Sequence, residues 1–96
     1  MSFGVPVMIL RPKIVRLSKK AEPDLRIKFG RRVRALRETR GLTQEQLAER
    51  AQISVDFLSL IERGRNSPSF ENLEALACAL GLAVASLFTF SQADSQ

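Results

Sequence analysis

Between residues 42 and 65 the chain reads LTQEQLAERAQISVDFLSLIERGR, and its apolar positions fall in two short bursts with helical spacing. In the first, Leu47, Ala48 and Ala51 follow Gln44 along one face of a 3.6-residue period. Thr43 stands ahead of them as an N-cap, and Gln46 three residues later completes a capping box. In the second burst Phe57, Leu58 and Ile61 recur at i, i+1 and i+4 behind Ser54, another N-cap, and Gly64 supplies the stop. The corner between them is Ala51-Gln52-Ile53. Two helices joined by so few residues predict a helix-turn-helix, whose second helix can enter the major groove of DNA.

The flanks carry the same periodicity. A first helix is expected to start near Pro23, a favourable first-turn residue, with Asp24 suited to its positive end, and to stop at Gly41. Phe29, Val33 and Leu36 make its buried stripe, and Gly30 permits close packing. Arg31, Arg32, Arg34 and Arg40 are expected to face water or phosphate. Downstream, Ser69 caps a helix over residues 70–80 that should bury Phe70, Leu73, Leu76, Ala77 and Leu80 and end at Gly81. A short fifth helix over residues 84–88 supplies Leu87 and Phe88. The expectation is an all-α fold: a compact five-helix domain over residues 23–90, an irregular and flexible basic arm before it (1–22) and a polar tail after it (91–96).

Charge changes this picture in one respect. The 96 residues hold 15 Lys and Arg against 10 Asp and Glu, net +5. Residues 1–40 hold 12 basic and 3 acidic side chains, net +9, and residues 41–96 hold 3 and 7, net −4. So uneven a distribution points to a polyanionic partner. With no apolar run near the roughly 20 residues that span a bilayer, and no signal-peptide order of charge and apolar residues, the expectation is a cytoplasmic protein without membrane contact. Histidine is absent, which removes histidine catalysis and most zinc sites. Cys78, the single cysteine, lies in LEALACALGL and is read as a buried, inert thiol. No nucleophile–base pair, metal set or cofactor motif is present, so the chain is expected not to be an enzyme.

Three stretches, FGRRVRALRETRGLTQEQLAERA, ISVDFLSLIERGRNSPSFENLEALACALGL and the closing SLF, resemble the Cro/C1 (Xre-like) group of bacterial and phage helix-turn-helix regulators, which includes restriction-modification controller proteins. The resemblance spans roughly residues 27–89 and implies a repressor-like domain that binds double-stranded DNA. It further implies an ion pair between Arg37 and Glu62 and a phosphate contact from Gln44, which also sits where a helix N-terminus favours an anion. The corner departs from the group, which commonly places glycine at the Gln52 position. A left-handed Gln52 would carry strain on the order of 1 kcal/mol.

With Phe57, Leu58 and Ile61 turned inward, the outward set of the second helix is Val55, Asp56, Ser59, Leu60 and Arg63. Val55, Asp56, Ser59 and Leu60 are the expected base-reading residues: apolar contact with a thymine methyl, acceptance from a cytosine amino group, a hydroxyl to either kind of edge. So thin a set leaves room for readout of DNA shape. Thr43 and Gln44 are the first expected phosphate contacts, and the resemblance, which lays the following loop and the start of the next helix along the DNA backbone, implies a second set in Arg63, Arg65, Asn66 and Ser69; such contacts position without reading sequence. Val84, Leu87, Phe88 and Phe90 are expected to form a homodimer interface, giving a transcription regulator on a roughly palindromic operator, its own promoter being one candidate. The alternative is an antitoxin-like module that neutralises a protein partner, favoured by the apolar residues 5–10 and the apolar tips Val55 and Leu60.

Overall fold

A computed structural model describes residues 24–90; the expected arm (1–22) and polar tail (91–96) lie outside them. The described residues are all-helical: α1 Leu25–Thr39, α2 Gln44–Ala51, α3 Val55–Glu62, α4 Phe70–Leu80 and a closing 3-10 helix Val84–Phe88. Four α-helices are thus followed by a tighter turn where a fifth helix was expected. Its five residues have no side-chain cap, and short runs of this kind readily adopt the 3-10 form.

Each boundary has a local cause. Asp24 accepts from the Arg26 backbone N–H to start α1. Thr43 and Gln46 close a reciprocal capping box on α2, and Ser54 accepts from the Phe57 N–H to start α3. Ser69 closes a second box with Asn72, whose side chain receives the Ser69 backbone N–H. Each box satisfies N–H groups that a helix start leaves unpaired. At the corner Gln52 adopts φ 60°, ψ 42°, the left-handed conformation, the one non-glycine positive φ among the described residues.

α1 packs on α3, α2 on both α3 and α4, and the 3-10 helix closes against α1 and α4. Val33, Leu47, Leu58, Ile61, Leu76 and Leu87 are fully enclosed at the centre. Where α1 crosses α3, Gly30 lets the backbones meet: a methyl group there would lie 2.6 Å from the Glu62 carbonyl oxygen.

Two expectations of burial fail, both on α4. Phe70 is 84% exposed, because as first residue after the cap it projects past the end of the packed stripe. Cys78 is also exposed. It lies between Glu71 and Glu74 on the helical wheel, opposite Leu76, Ala77 and Leu80. The cationic face of α1 differs too. Arg32 Nε donates to the Ser86 carbonyl at 3.1 Å and Arg40 Nε to the Leu80 carbonyl at 2.8 Å. These two arginines staple α1 to the 3-10 helix and to the C-terminal end of α4, where a cation meets unpaired carbonyls.

Candidate nucleic-acid interface

α3 is held from behind by a buried polar cluster. Arg37, 9% exposed, and Glu62, 7% exposed, make a two-pronged pair: Nε to Oε2 at 2.7 Å and Nη2 to Oε1 at 3.1 Å. Arg37 Nη1 also donates to the Leu42 carbonyl at 2.8 Å, and Gln44 Nε2 donates to Glu62 Oε1 at 3.0 Å. One carboxylate therefore fixes the end of α3 against α1 and the first residue of α2 at once. Among the described residues no buried side-chain nitrogen or oxygen lacks a partner, the condition under which a buried ion pair repays its desolvation. The hydrogen bond to Glu62 raises the Arg37 pKa above its ordinary value, against the lowering effect of burial. The guanidinium's contribution is thus complete below ordinary arginine pKa values and is lost only as pH rises beyond them.

In front of this cluster lies a cleft of about 480 Å³ lined by Arg34, Arg37, Thr43, Gln44, Glu45, Ser59, Glu62 and Arg63. It brings three expected phosphate contacts, Thr43, Gln44 and Arg63, to the positive N-terminal end of α2 and adds Ser59 from α3. The Gln44 amide has a second hydrogen beyond the one given to Glu62, and the capping Thr43 hydroxyl accepts from Gln46 with its own hydrogen still to donate. Arg63 is exposed; its Nε reaches the Ser59 carbonyl at 3.4 Å, a contact at the weak limit of hydrogen bonding. Arg34 was expected to face water or phosphate but was not among the named phosphate contacts. Its link is an exposed ion pair with Glu38 at 3.1 Å, worth little in water and readily exchanged for a phosphate. The sequence signal was its spacing: three residues before Arg37, it shares that face of α1.

Arg65, Asn66 and Ser69 do not line this cleft. Arg65 and Ser69 are exposed and Asn66 half-buried in the loop to α4. Asn66 Oδ1 accepts the Ser67 N–H at 2.9 Å, and the Ser69 hydroxyl accepts the Asn72 N–H at 3.1 Å, so both also build the turn. On α3, Asp56 is exposed and Ser59 and Leu60 are half-buried. Val55 is half-buried and packs against the core, which leaves Asp56, Ser59 and Leu60 as the face most open to a base edge. Of the expected dimer residues, Leu87 is fully enclosed in the core, while Val84 and Phe88 are each 37% exposed. Phe88 lies between Phe29, tilted by 37° with 5.2 Å between ring centroids, and Phe90, edge-on at 6.3 Å.

Among the described residues no helix is long and apolar enough to cross a membrane, and no cluster of His, Cys, Asp or Glu could hold a metal ion. Two short helices about a tight left-handed corner, the second braced from behind and open in front, define a helix-turn-helix protein. A family model described as a helix-turn-helix domain matches residues 28–87. The chain belongs to this family, in its Cro/C1 type. It is 50% identical over 58 residues to an immunity repressor protein of Bacillus phage phi105, covering 60% of this chain and 40% of the repressor. It is 34% identical over 67 residues to the control protein C.MunI of a Mycoplasma species, covering 69% of this chain and 90% of that protein. The solved restriction-modification controller protein C.AhdI from Aeromonas hydrophila superposes with a TM-score of 0.65 at 38% identity, covering 66% of this chain and 96% of that one. The chain spans less than half the length of some curated relatives that it matches, the phage repressor among them.

Proposed function

We propose that this protein is a transcription regulator that binds double-stranded DNA as a homodimer on a roughly palindromic operator. The observation that carries the reading is the cleft in which Arg34, Thr43, Gln44 and Arg63 converge beside the outer face of α3. A phosphate seated there meets a helix N-terminus, the Arg34 and Arg63 guanidinium groups, an amide and a hydroxyl, with the Glu62 charge already balanced by Arg37 and the exposed Glu45 carboxylate the one opposing charge in the lining, and so sets the depth of α3 in the major groove. Asp56, Ser59 and Leu60 then reach base edges, while Arg65, Asn66 and Ser69 take a second backbone position. One domain covers one half-site. Val84, Phe88 and Phe90 supply the apolar face on which a second copy places its own α3 about one helical turn of DNA away. Leu87 serves that face from beneath, by filling the core.

The test is binding to the DNA just upstream of the protein's own gene, against scrambled DNA, over a salt series. The proposal expects at least thousandfold tighter binding to the upstream DNA, with log affinity falling by about 0.9 per phosphate contact for each decade of salt. Equal, weak binding to both DNAs would overturn it and turn attention to a protein partner for Leu60.

A further inference from the structure

The half-buried Gln44 side chain, on the first residue of α2, is held by a residue at the far end of α3. Its Nε2 donates to Glu62 Oε1 at 3.0 Å. The same oxygen accepts from Arg37 Nη2 at 3.1 Å, and Oε2 accepts from Arg37 Nε at 2.7 Å. Buried and held on both oxygens, the carboxylate is a fixed acceptor. An ionised carboxylate accepts hydrogen bonds and donates none. Gln44 can therefore meet Glu62 only through its nitrogen. Turned over, the amide would set its carbonyl oxygen against the carboxylate, with repulsion in place of a charge-assisted bond. The two N–H bonds of a planar amide diverge, so the second is turned from Glu62. It is the donor left for the cleft that both residues line.

We infer that Glu62 is a positioning residue for a DNA phosphate in this cleft, acting through Gln44 by holding its amide with an N–H, and not the carbonyl oxygen, available to the anion. The inference rests on the proposed function and assigns a role in binding to a residue that touches no DNA. A loose glutamine has to be ordered, and turned the right way round, as the phosphate arrives. One already held loses less freedom on binding. Arg37 has a part in this beyond packing. A lone carboxylate beside the cleft would repel a phosphate, and the guanidinium cancels that charge at its source. The pair is net neutral, so attraction falls to Arg34 and Arg63 in the same lining. What the pair adds is direction.

The experiment is a double-mutant cycle on the full chain, read as affinity for the upstream DNA and for scrambled DNA at one salt concentration. Gln44→Met removes the amide at similar size. Arg37→Met/Glu62→Leu removes the holder without changing net charge. Where denaturation shows that pair variant unfolded, Glu62→Gln takes its place, because an amide can face either end of Gln44 and the fixed direction is lost. In wild type, Gln44→Met is expected to weaken binding to both DNAs by about tenfold. Made on top of the Glu62 variant, the same change should cost about two- to tenfold less. If Glu62 served only to place α3, its loss would lower the ratio of upstream to scrambled binding and leave the Gln44→Met loss at its wild-type size. That outcome overturns the inference while the regulator reading stands. Wild type that binds neither DNA overturns both.

Discussion

The back and the front of α3 are built on opposite principles. Behind it, Arg37, Glu62, Gln44 and the Leu42 carbonyl form a closed network of charge-assisted hydrogen bonds, and Gly30 lets two backbones touch. In front, Asp56, Ser59 and Leu60 make no such network and stand open or half-open. The back fixes where the helix lies and, in the proposed function, the front decides what it meets, so the front can change without disturbing the fold. This separation allows one scaffold to serve many operators, and it makes the two faces separately testable.

The largest effect is expected from opening the network. Arg37→Met leaves the Glu62 carboxylate buried without its cation, a change that costs about 3–5 kcal/mol. In a domain of this size that can abolish folding at 37 °C. Chemical denaturation should show the loss, and Arg37→Met/Glu62→Leu should recover most of it, since an apolar pair needs no counter-charge. A single variant as stable as wild type would mean that the pair is solvated and that back and front do not differ.

Next comes the backbone contact. Gly30→Ala places a methyl 2.6 Å from the Glu62 carbonyl oxygen and 2.9 Å from its carbon, and a backbone cannot swing aside as a side chain can. Overpacking of this kind costs about 1–3 kcal/mol. Because it pushes on the end of α3, affinity for operator DNA should fall along with stability. Loss of stability with unchanged affinity would show that the position of α3 is set elsewhere.

The corner gives a smaller effect of opposite sign. Gln52 holds φ at 60°, which costs an L-residue about 1–2 kcal/mol; glycine removes that strain but adds freedom to the unfolded chain. Gln52→Gly should therefore stabilise by about 0.5 kcal/mol, a rise in Tm of about 2–4 °C. A fall in Tm would mean that the Gln52 side chain contributes more than its backbone costs.

The back was more legible in the sequence than the front, for physical reasons. Helix ends are local: Thr43 with Gln46, Ser54, and the glycines at 41, 64 and 81 act within a few residues of themselves. Gly30 on the buried stripe of α1 already signalled a close approach. Long cations were harder, because Arg32 and Arg40 reach carbonyls 54 and 40 residues away, a distance no local pattern encodes. Periodicity also overreached at its edges, at Phe70 beyond the packed stripe and at Cys78 across the helix from it. Gln44 was expected at phosphate alone. Its bond to Glu62 depends on how α2 meets α3, which spacing does not give.

The smallest effect on stability should come from the front. Asp56 lies exposed in the first turn of α3, where its charge, screened by salt, favours the helix by about 0.3 kcal/mol; Asp56→Asn keeps the shape and should cost about as much. Its effect on DNA binding is where the two faces part. If Asp56 only repels phosphate, its neutralisation strengthens binding to operator and scrambled DNA by the same factor. If it accepts from a cytosine amino group, operator binding weakens while scrambled DNA tightens, and the preference for operator falls by about 1–3 kcal/mol. A titration of both DNAs at one salt concentration separates these outcomes. A change in melting temperature beyond a few degrees would instead tie Asp56 to the back of the helix and erase the distinction between the faces.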